Sequence, residues 1–233
     1  MQWSVDRLTK TYGAFTALSE VTFTVRPGEV LGLIGPNGAG KTTLFECMAG
    51  LLPYDTGTVA ADGVALAPRA RTRSLFYLPD AIAPWPAQTV GWALDFTAGF
   101  FGGARRPPEI VERLELTPLL DTPIAALSKG QRKRALLAIG LGTPQPLLLA
   151  DEPFEGLDLR QTREVGAALR AHAATGRTLF LSIHQIADAA RVCDRFVLLS
   201  GGRVCAAGTV AELSERAHLS GSSNLEEIFL ALT

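Results

Sequence analysis

The segment Gly35–Thr43 constrains the fold of this chain more than any other part of it. Its sequence, Gly-Pro-Asn-Gly-Ala-Gly-Lys-Thr-Thr, matches the pattern G-x-x-x-x-G-K-[ST] of a phosphate-binding loop. The apolar run Val30–Ile34 precedes it, and apolar residues at helical spacing follow from about Lys41 to Leu52, where Pro53 ends the pattern. A chance match to the loop pattern in a chain of this composition has a probability of roughly 0.5%. The sequence therefore predicts a strand, a phosphate-binding loop and a helix in succession.

The chemistry expected of this loop follows from its residue types. Glycines allow backbone N–H groups to converge on a phosphate, and the start of the following helix adds a favourable dipole. We expect Lys41 to reach the β- and γ-phosphates of a nucleotide, and the Thr42 hydroxyl to bind Mg²⁺. The nucleotide contacts expected in the loop are Gly35, Pro36, Asn37, Gly38, Ala39, Gly40, Lys41, Thr42 and Thr43.

Composition argues against several other kinds of protein. The chain has 233 residues, 47% of them apolar and 19% charged, so one large domain or two small ones can form. Its formal net charge is −1, without the basic excess that is typical of nucleic-acid-binding proteins. The longest uncharged run, Ala135–Ala150, falls short of the ~20 apolar residues that cross a membrane, and the N-terminus lacks the pattern of a signal peptide. Three cysteines indicate neither a disulfide framework nor a zinc site, so we expect a soluble protein in a reducing compartment.

Alternating patterns along the rest of the chain predict an α/β fold with a largely parallel sheet. Residues 21–25 alternate apolar and polar, as in a half-buried strand, and Asp62-Gly63 is typical of a hairpin turn. Two further apolar strands end at Asp151 and His184. Between about 81 and 142 the pattern is helical and rich in aromatic residues, which indicates a helical insertion.

The apolar strand Leu147–Ala150 delivers two adjacent carboxylates, Asp151 and Glu152, at its C-terminal end. Ligands of open α/β sheets bind at this end of the strands. We expect Asp151 to bind Mg²⁺ through water and Glu152 to act as the general base toward an attacking water. A solvated acidic strand end is the alternative, which the phosphate loop in the same chain weakens.

The segment Leu127–Gln131, with the sequence Leu-Ser-Lys-Gly-Gln, opens a predicted helix before Asp151. With this segment, the chain resembles the ATP-binding subunit of ABC transporters, most like those of export systems, whose signature is L-S-G-G-Q. The resemblance covers nearly the whole chain. The motifs that carry it are Tyr12, Gly35–Thr43, Leu127–Gln131, Asp151-Glu152, Gly156-Leu157-Asp158 and His184.

The resemblance implies the fold of a P-loop NTPase of the ABC type. This fold has a mostly parallel sheet core, an N-terminal antiparallel β part and an inserted helical subdomain. We therefore expect residues 1–233 to form a single ATP-binding domain, with the helical subdomain at 81–142 and a short helical tail at 211–233. ATP and Mg²⁺ are the implied cofactors. The implied activity is ATP hydrolysis coupled to transport, with Lys41 and Glu152 in catalytic roles.

The resemblance also implies that some residues act across a subunit boundary. Ser128 and Gly130, with Gln131 beside them, would contact the γ-phosphate of ATP held by the opposite subunit. Asp158 would lie at the dimer seam and help to position the partner's loop. One chain carries one copy of each half-site, so a complete site would need a second copy of this chain or a homologous ATPase subunit.

Two further roles depend on the resemblance. Tyr12 would stack on adenine, although an isolated tyrosine beside a strand more often packs in a core or on a surface. His184 would act in catalysis by contacting the γ-phosphate and holding the attacking water, and its place at the end of an apolar strand favours this role over a structural one. His172 and His218 have no such context, and we expect both on the surface.

Two positions depart from the family pattern. Lys129 replaces the third signature residue, a glycine, and its side chain must point away from the phosphate, so we expect a weak effect that could alter nucleotide affinity. Asp80 follows the strand Leu75–Leu78, where the family usually has Gln and sometimes Glu. Its carboxylate is shorter than that of Glu by one methylene but could still approach Mg²⁺, so Asp80 joins Thr42 and Asp151 as a candidate metal ligand.

Basic residues cluster in two places. Arg69, Arg71 and Arg73 alternate, and residues 132–134 are all basic and follow the signature. Binding of nucleic acid or lipid is one interpretation. Solvated surfaces close to phosphate explain both clusters more simply. Cys47, on the helix after the phosphate loop, is expected to be buried in packing.

The favoured hypothesis is an ATPase subunit on the cytoplasmic face of the cell membrane that closes as a dimer on ATP and drives a separate integral membrane permease. The short segment between Asp80 and Leu127 and the tail Asn224–Leu230 resemble subunits that export drugs or other small or lipid-like compounds. The sequence does not encode the cargo, and no nucleic-acid partner is expected. A soluble ABC-type ATPase of an assembly system is the alternative, and the catalytic residues disfavour a non-hydrolysing regulator.

Overall fold

Buried apolar strands organise the computed structural model, which describes residues 1–80, 82–102, 106–219 and 224–233. The described strands form two sheets, one of four strands and one of six. They are β1 (Trp3–Tyr12), β2 (Phe15–Val25), β3 (Val30–Ile34), β4 (Thr56–Ala61), β5 (Val64–Ala65), β6 (Leu75–Leu78), β7 (Leu147–Asp151), β8 (Thr178–Ile183), β9 (Arg195–Ser200) and β10 (Arg203–Gly208).

The four-stranded sheet is antiparallel, with the strand order β2-β1-β4-β5. Along β1, the apolar side chains of Trp3, Val5 and Leu8 are buried while polar neighbours face outward. The predicted turn at Asp62-Gly63 joins β4 to β5. The expected N-terminal antiparallel part is therefore confirmed.

The six-stranded sheet has the order β10-β9-β3-β8-β7-β6, and its neighbours are parallel except for the hairpin of β9 and β10. Every residue of β3, β7 and β8 is buried, as expected for parallel strands that are covered on both faces. The carboxyl ends of these three adjacent strands lie side by side at one edge of the sheet. The predicted α/β fold with a mostly parallel core is confirmed.

Helices cover this sheet. The described α-helices are α1 (Lys41–Ala49), α2 (Pro68–Arg71), α3 (Val90–Phe100), α4 (Pro108–Arg113), α5 (Lys129–Leu141), α6 (Leu159–Ala173), α7 (Ile186–Val192), α8 (Val210–Arg216) and α9 (Leu225–Leu232). Helix α1 and the antiparallel sheet pack in one apolar core, where Phe23 and Phe45 contact Phe180 of β8. Helices α3 to α9 contribute to a second apolar core. In the described ranges, no helix is both long enough and apolar enough to cross a membrane.

The helix after the phosphate loop is shorter than the pattern predicted. Helix α1 ends at Ala49 because Gly50 adopts a left-handed φ of +77°, which glycine tolerates, and its N–H bonds back to the last turn. The predicted end at Leu52, set by Pro53, is wrong because the glycine terminates the helix first.

The segment that was expected to be a helical insertion contains α3, α4 and α5, with two short 3₁₀ helices, Thr117–Leu119 and Ile124–Ala126, between α4 and α5. Ala81 and residues 103–105 of this segment lie outside the described residues, as do residues 220–223 of the expected tail. The described part of the tail contains α8 and α9. The division of the chain into a core with an inserted subdomain and a tail remains a prediction.

Candidate active site

One cavity lies where the carboxyl ends of β3, β7 and β8 meet. The phosphate loop follows β3, Asp151 ends β7, and His184 follows β8. The cavity has a volume of about 560 Å³. It is lined by Tyr12, Phe15, Ala17, Pro36, Asn37, Gly38, Gly40, Lys41, Thr42, Thr43, Asp80, Asp151, Glu152, Glu155 and His184. The local rules that placed each motif at a strand end therefore bring most of the predicted site residues together.

The phosphate loop wraps around the Lys41 side chain. The Lys41 ammonium donates to the carbonyl of Gly35 at 2.8 Å, and the side chain is only 8% exposed. Gly40 begins α1 with φ of +103°, and a Cβ there would lie 2.7 Å from the carbonyl oxygen of Ala17. Because Gly40 has no side chain to cap the helix, the first amides of α1 are left for a ligand. The loop has the geometry of an anion site.

Asp151 connects the loop to the strand ends. One of its carboxylate oxygens accepts from the Thr42 hydroxyl at 2.7 Å, and the other accepts from the Ser182 hydroxyl. Thr42 and Asp151, both predicted to bind Mg²⁺, thus lie in direct contact. A hydroxyl and a carboxylate are hard oxygen donors, which suit Mg²⁺. Sequence reasoning missed Ser182, whose only signal was its place on a buried strand.

Glu152 lies at the centre of the catalytic group. Nδ1 of His184 lies 2.8 Å from one carboxylate oxygen, and the Lys41 ammonium lies 3.5 Å from the other. The Glu152 N–H donates to both the carbonyl and the hydroxyl of Ser182. The residue has a φ of +47°, a strained conformation that persists only where the surroundings enforce it. The structure therefore brings the three predicted catalytic residues together.

Two aromatic side chains, those of Tyr12 and Phe15, also line the cavity. Tyr12 is 48% exposed and Phe15 is 62% exposed, and they pair across the turn between β1 and β2. The Lys10 ammonium lies 5.1 Å from the centre of the Tyr12 ring. An exposed aromatic pair at a cavity edge can stack on a planar ring. Phe15 was not predicted, although its place beyond the two-residue turn Gly13-Ala14 was a usable signal.

The signature residues do not line this cavity. Ser128 begins α5 in a reciprocal cap: its hydroxyl accepts from the Gln131 N–H at 3.3 Å, and the Gln131 side chain accepts from the Ser128 N–H at 2.9 Å. Asp158 begins α6 with the same type of cap. The two helix starts touch, because a Cβ at Gly130 would lie 2.9 Å from Gln161 of α6. These residues lie apart from the cavity, and their predicted contacts with a partner's nucleotide stay predictions.

Asp80 lines the cavity, but its carboxylate has a cationic partner. The Lys133 ammonium of α5 lies 2.5 Å from Oδ1 of Asp80. Lys129, the unusual signature residue, lies 2.5 Å from the carboxylate of Glu155. The predicted role of Asp80 at Mg²⁺ stays a prediction.

The basic clusters are not solvated surfaces throughout. Arg71 is 1% exposed and donates to the carbonyls of Cys47 and Leu66 and to the Tyr54 hydroxyl. Lys133 and Arg134 are buried as well. The interpretation that these three side chains lie on solvated surfaces is wrong, because each is buried and donates hydrogen bonds to polar groups of the protein.

Three expectations for single residues can be compared with the burial that the structure shows. Cys47 is buried as predicted, and burial raises the pKa of its thiol to about 11. His172 was expected on the surface, but its Nε2 atom is buried without a partner among the described residues. Burial and then the charge of Arg177 lower its pKa to about 4. His218 is exposed, as predicted.

The fold and the cavity together define the class of protein. A phosphate loop between a buried parallel strand and a helix, with a carboxylate pair on a strand two places away, is the site of a P-loop nucleoside triphosphatase. The family model described as ABC transporter matches residues 18–155, which is more than half of the chain. The chain belongs to the ABC transporter family, as the sequence resemblance predicted, and it is an ATP-binding subunit of that family, whose general activity is ATP hydrolysis.

Similar proteins include both exporters and importers. Nod factor export ATP-binding protein I of Ralstonia nicotianae is 35% identical over 218 residues, covering 90% of this chain and 68% of the relative. Fe(3+) ions import ATP-binding protein FbpC 2 of Rhodococcus jostii is 38% identical over 221 residues, covering 90% of this chain and 62% of the relative. A solved structure of an ATP-binding subunit of an ABC transporter matches with a TM-score of 0.90 at 31% identity, over 100% of this chain and 99% of that one. The family is therefore established while the direction of transport is open.

Proposed function

We propose that this chain hydrolyses ATP as a nucleotide-closed dimer and thereby powers export of a small or lipid-like compound through a separate membrane subunit. The observation that carries the proposal is the convergence of Lys41, Glu152 and His184 on one cavity beside the phosphate loop. The cavity contains the residues that this chemistry needs, apart from those that the signature of a second subunit is expected to supply.

In the proposed reaction, Glu152 accepts a proton from the water that attacks the γ-phosphate. His184 holds one oxygen of that carboxylate through Nδ1, and Lys41 lies near the other. When the nucleotide binds, Lys41 exchanges the carbonyl of Gly35 for phosphate oxygens, since a cation gains more from an anion than from a carbonyl. Thr42 and Asp151 would hold Mg²⁺, which neutralises phosphate charge when it is bound.

The dimer is supported by what the cavity lacks. Ser128, Gly130, Gln131 and Asp158 cluster on neighbouring helix starts outside the cavity of their own chain. A second subunit, either a copy of this chain or a homologous ATPase subunit, would bring that cluster onto the nucleotide. Closure is then a population shift, because ATP binds the closed state better than the open one.

A membrane partner is supported by helix α3, which is apolar on both sides. Its inner side packs in the core, while Trp92, Phe96 and Phe100 on its outer side and Trp85 from the preceding segment form an exposed aromatic face. Trp92 and Phe96 stack with ring centres 4.9 Å apart, and Trp85 packs edge-on against both. A soluble monomer rarely exposes such a contiguous apolar surface. We assign this face to the membrane subunit and propose that the chain acts on the cytoplasmic side of the membrane.

Export is supported by the resemblance of the segment 80–127 and of α9 to subunits of export systems. Among similar proteins, the one from Ralstonia nicotianae carries an export name and the one from Rhodococcus jostii an import name. The direction therefore needs a direct measurement.

The test is purification of the full chain from native membranes, followed by reconstitution of the complex in vesicles. We expect an integral membrane protein to copurify with the wild-type chain, and its recovery to fall at least tenfold for the double variant W92S/F96S. The variant L230S is the matched control, because Leu230 is also an exposed apolar side chain but lies on α9. Thermal unfolding of each variant checks that it is folded.

The vesicles then report direction. When ATP is supplied outside the vesicles, an exporter accumulates its cargo in the vesicle interior. An importer instead removes cargo from the interior. Copurification of only soluble proteins, or equal recovery with W92S/F96S, contradicts the assignment of the membrane partner.

A further inference from the structure

Two lysines on one face of α5 each contact a carboxylate that lines the nucleotide cavity. Lys129 and Lys133 are four residues apart, so they lie on the same side of the helix. Lys129 pairs with Glu155 and Lys133 pairs with Asp80, both at 2.5 Å. The first turns of α5 therefore meet the cavity wall through two ion pairs.

The two carboxylates separate the nucleotide cavity from a second cavity. Asp80 and Glu155 line the first cavity, with Lys41, Thr42 and Asp151, and they also line an adjoining cavity of about 410 Å³ that contains Lys129, Arg132 and Lys133. Each carboxylate thus pairs with a lysine and also lines the cavity in which Mg²⁺ and phosphate are expected.

The two pairs differ in the environment of the lysine. The Lys129 side chain is 58% exposed, so water can replace Glu155 at little cost. The Lys133 side chain is only 5% exposed, and Asp80 is the one carboxylate that pairs with it among the residues that the structure describes. A buried ammonium that loses its counterion is strongly destabilised. The neighbouring Arg134 cannot neutralise the charge of Lys133, since it is itself a cation. It already contacts Glu115 and the carbonyl of Leu114.

We propose that Lys133 is a positioning residue for the nucleotide site, which holds Asp80 at the cavity wall and competes with Mg²⁺ for its carboxylate. This inference rests on the proposed use of Mg·ATP by the cavity.

The test measures Mg²⁺ in nucleotide binding rather than in turnover. In the full chain carrying E152Q, which prevents hydrolysis, a fluorescent ATP analogue is titrated with Mg²⁺. Replacement of Lys133 by Met frees Asp80, so we expect K133M to lower the Mg²⁺ concentration for half-maximal binding by roughly threefold to tenfold. K133R preserves the pair and should stay within about twofold of the parent. So should the control R160M, which removes the ion pairs of the exposed Arg160 with Glu164 and Glu115.

A second parent protein, which carries D80N, makes the test specific to the contact between Lys133 and Asp80. With D80N present, K133M should change the Mg²⁺ midpoint by less than about twofold, because no carboxylate remains at this position for Lys133 and Mg²⁺ to compete for. Equal shifts in both backgrounds, or no shift in either, overturn the inference. If thermal unfolding shows that K133M is not folded, K133Q replaces it, since its amide can still donate to Asp80 with no charge.

The failure of this inference is distinct from the failure of the proposed function. If the parent protein binds no nucleotide at any Mg²⁺ concentration, the proposed function is wrong. If it binds the nucleotide and K133M leaves the Mg²⁺ midpoint unchanged, only the role of Lys133 is wrong.

Discussion

At the scale of single residues, the position of Glu152 is set by groups from two strands. Ser182 of β8 accepts the Glu152 N–H and also donates to Asp151, while His184 contacts the Glu152 carboxylate. These contacts hold a non-glycine residue at a φ of +47°. A carboxylate held in this way is preorganised to accept a proton, which is what a general base requires.

Replacement of Glu152 by Gln tests this role. The amide keeps the size of the side chain but cannot accept the proton, so we expect ATP hydrolysis to fall by about 100-fold or more while the Kd for ATP changes by less than about threefold. Phosphate release and equilibrium nucleotide binding measure the two quantities. Hydrolysis by E152Q at the wild-type rate would show that another group is the base.

The residue scale also shows where sequence patterns stop being informative. The phosphate loop and the pair Asp151-Glu152 were predictable because each motif is local and each follows a strand. The contact between Lys133 and Asp80 joins residues 53 positions apart, and no local pattern signals it. His172 was expected on the surface because no motif surrounds it, but it is half-buried, which depends on how other parts of the chain pack around it.

At the scale of elements, helix α1 illustrates how a glycine can override a longer apolar pattern. The spacing of apolar residues extends to Leu52, but Gly50 has both a left-handed φ and no room for a side chain. A Cβ at Gly50 would lie 2.9 Å from Pro68, the first residue of α2. The end of the helix is therefore fixed by a tertiary contact as well as by backbone conformation.

Replacement of Gly50 by Ala should lower the free energy of unfolding by about 2 kcal/mol or more, because it adds a clash to the strain of a positive φ. Gly176 is the matched control: its φ is +91°, but a Cβ there would meet nothing within 4 Å. We therefore expect G176A to cost only about 1 kcal/mol. Urea denaturation compares the two variants, and equal losses would mean that the contact with Pro68 has no energetic weight.

At the scale of the whole molecule, the signature residues do not line the cavity that the phosphate loop forms. The cavity contains the phosphate loop, the carboxylates and His184, while Ser128 and Asp158 begin helices outside it. The fold class was predictable because buried parallel strands and amphipathic helices have distinct apolar periods. That the signature would serve a partner's site was expected only from the family resemblance, since sequence order carries no information on which site a surface residue will serve.

The measurement that tests the central claim most directly mixes two inactive variants. S128R blocks the signature of one chain, and E152Q removes the base of the other, so we expect each variant alone to have little ATPase activity. In a mixed dimer, the loop and Glu152 of the S128R chain meet the intact signature of the E152Q chain. Equal amounts of the two should therefore recover about a quarter of the wild-type activity, because half of the dimers are mixed and each of these has one intact site. Full activity of S128R alone, or no recovery on mixing, would contradict an active site shared between two subunits.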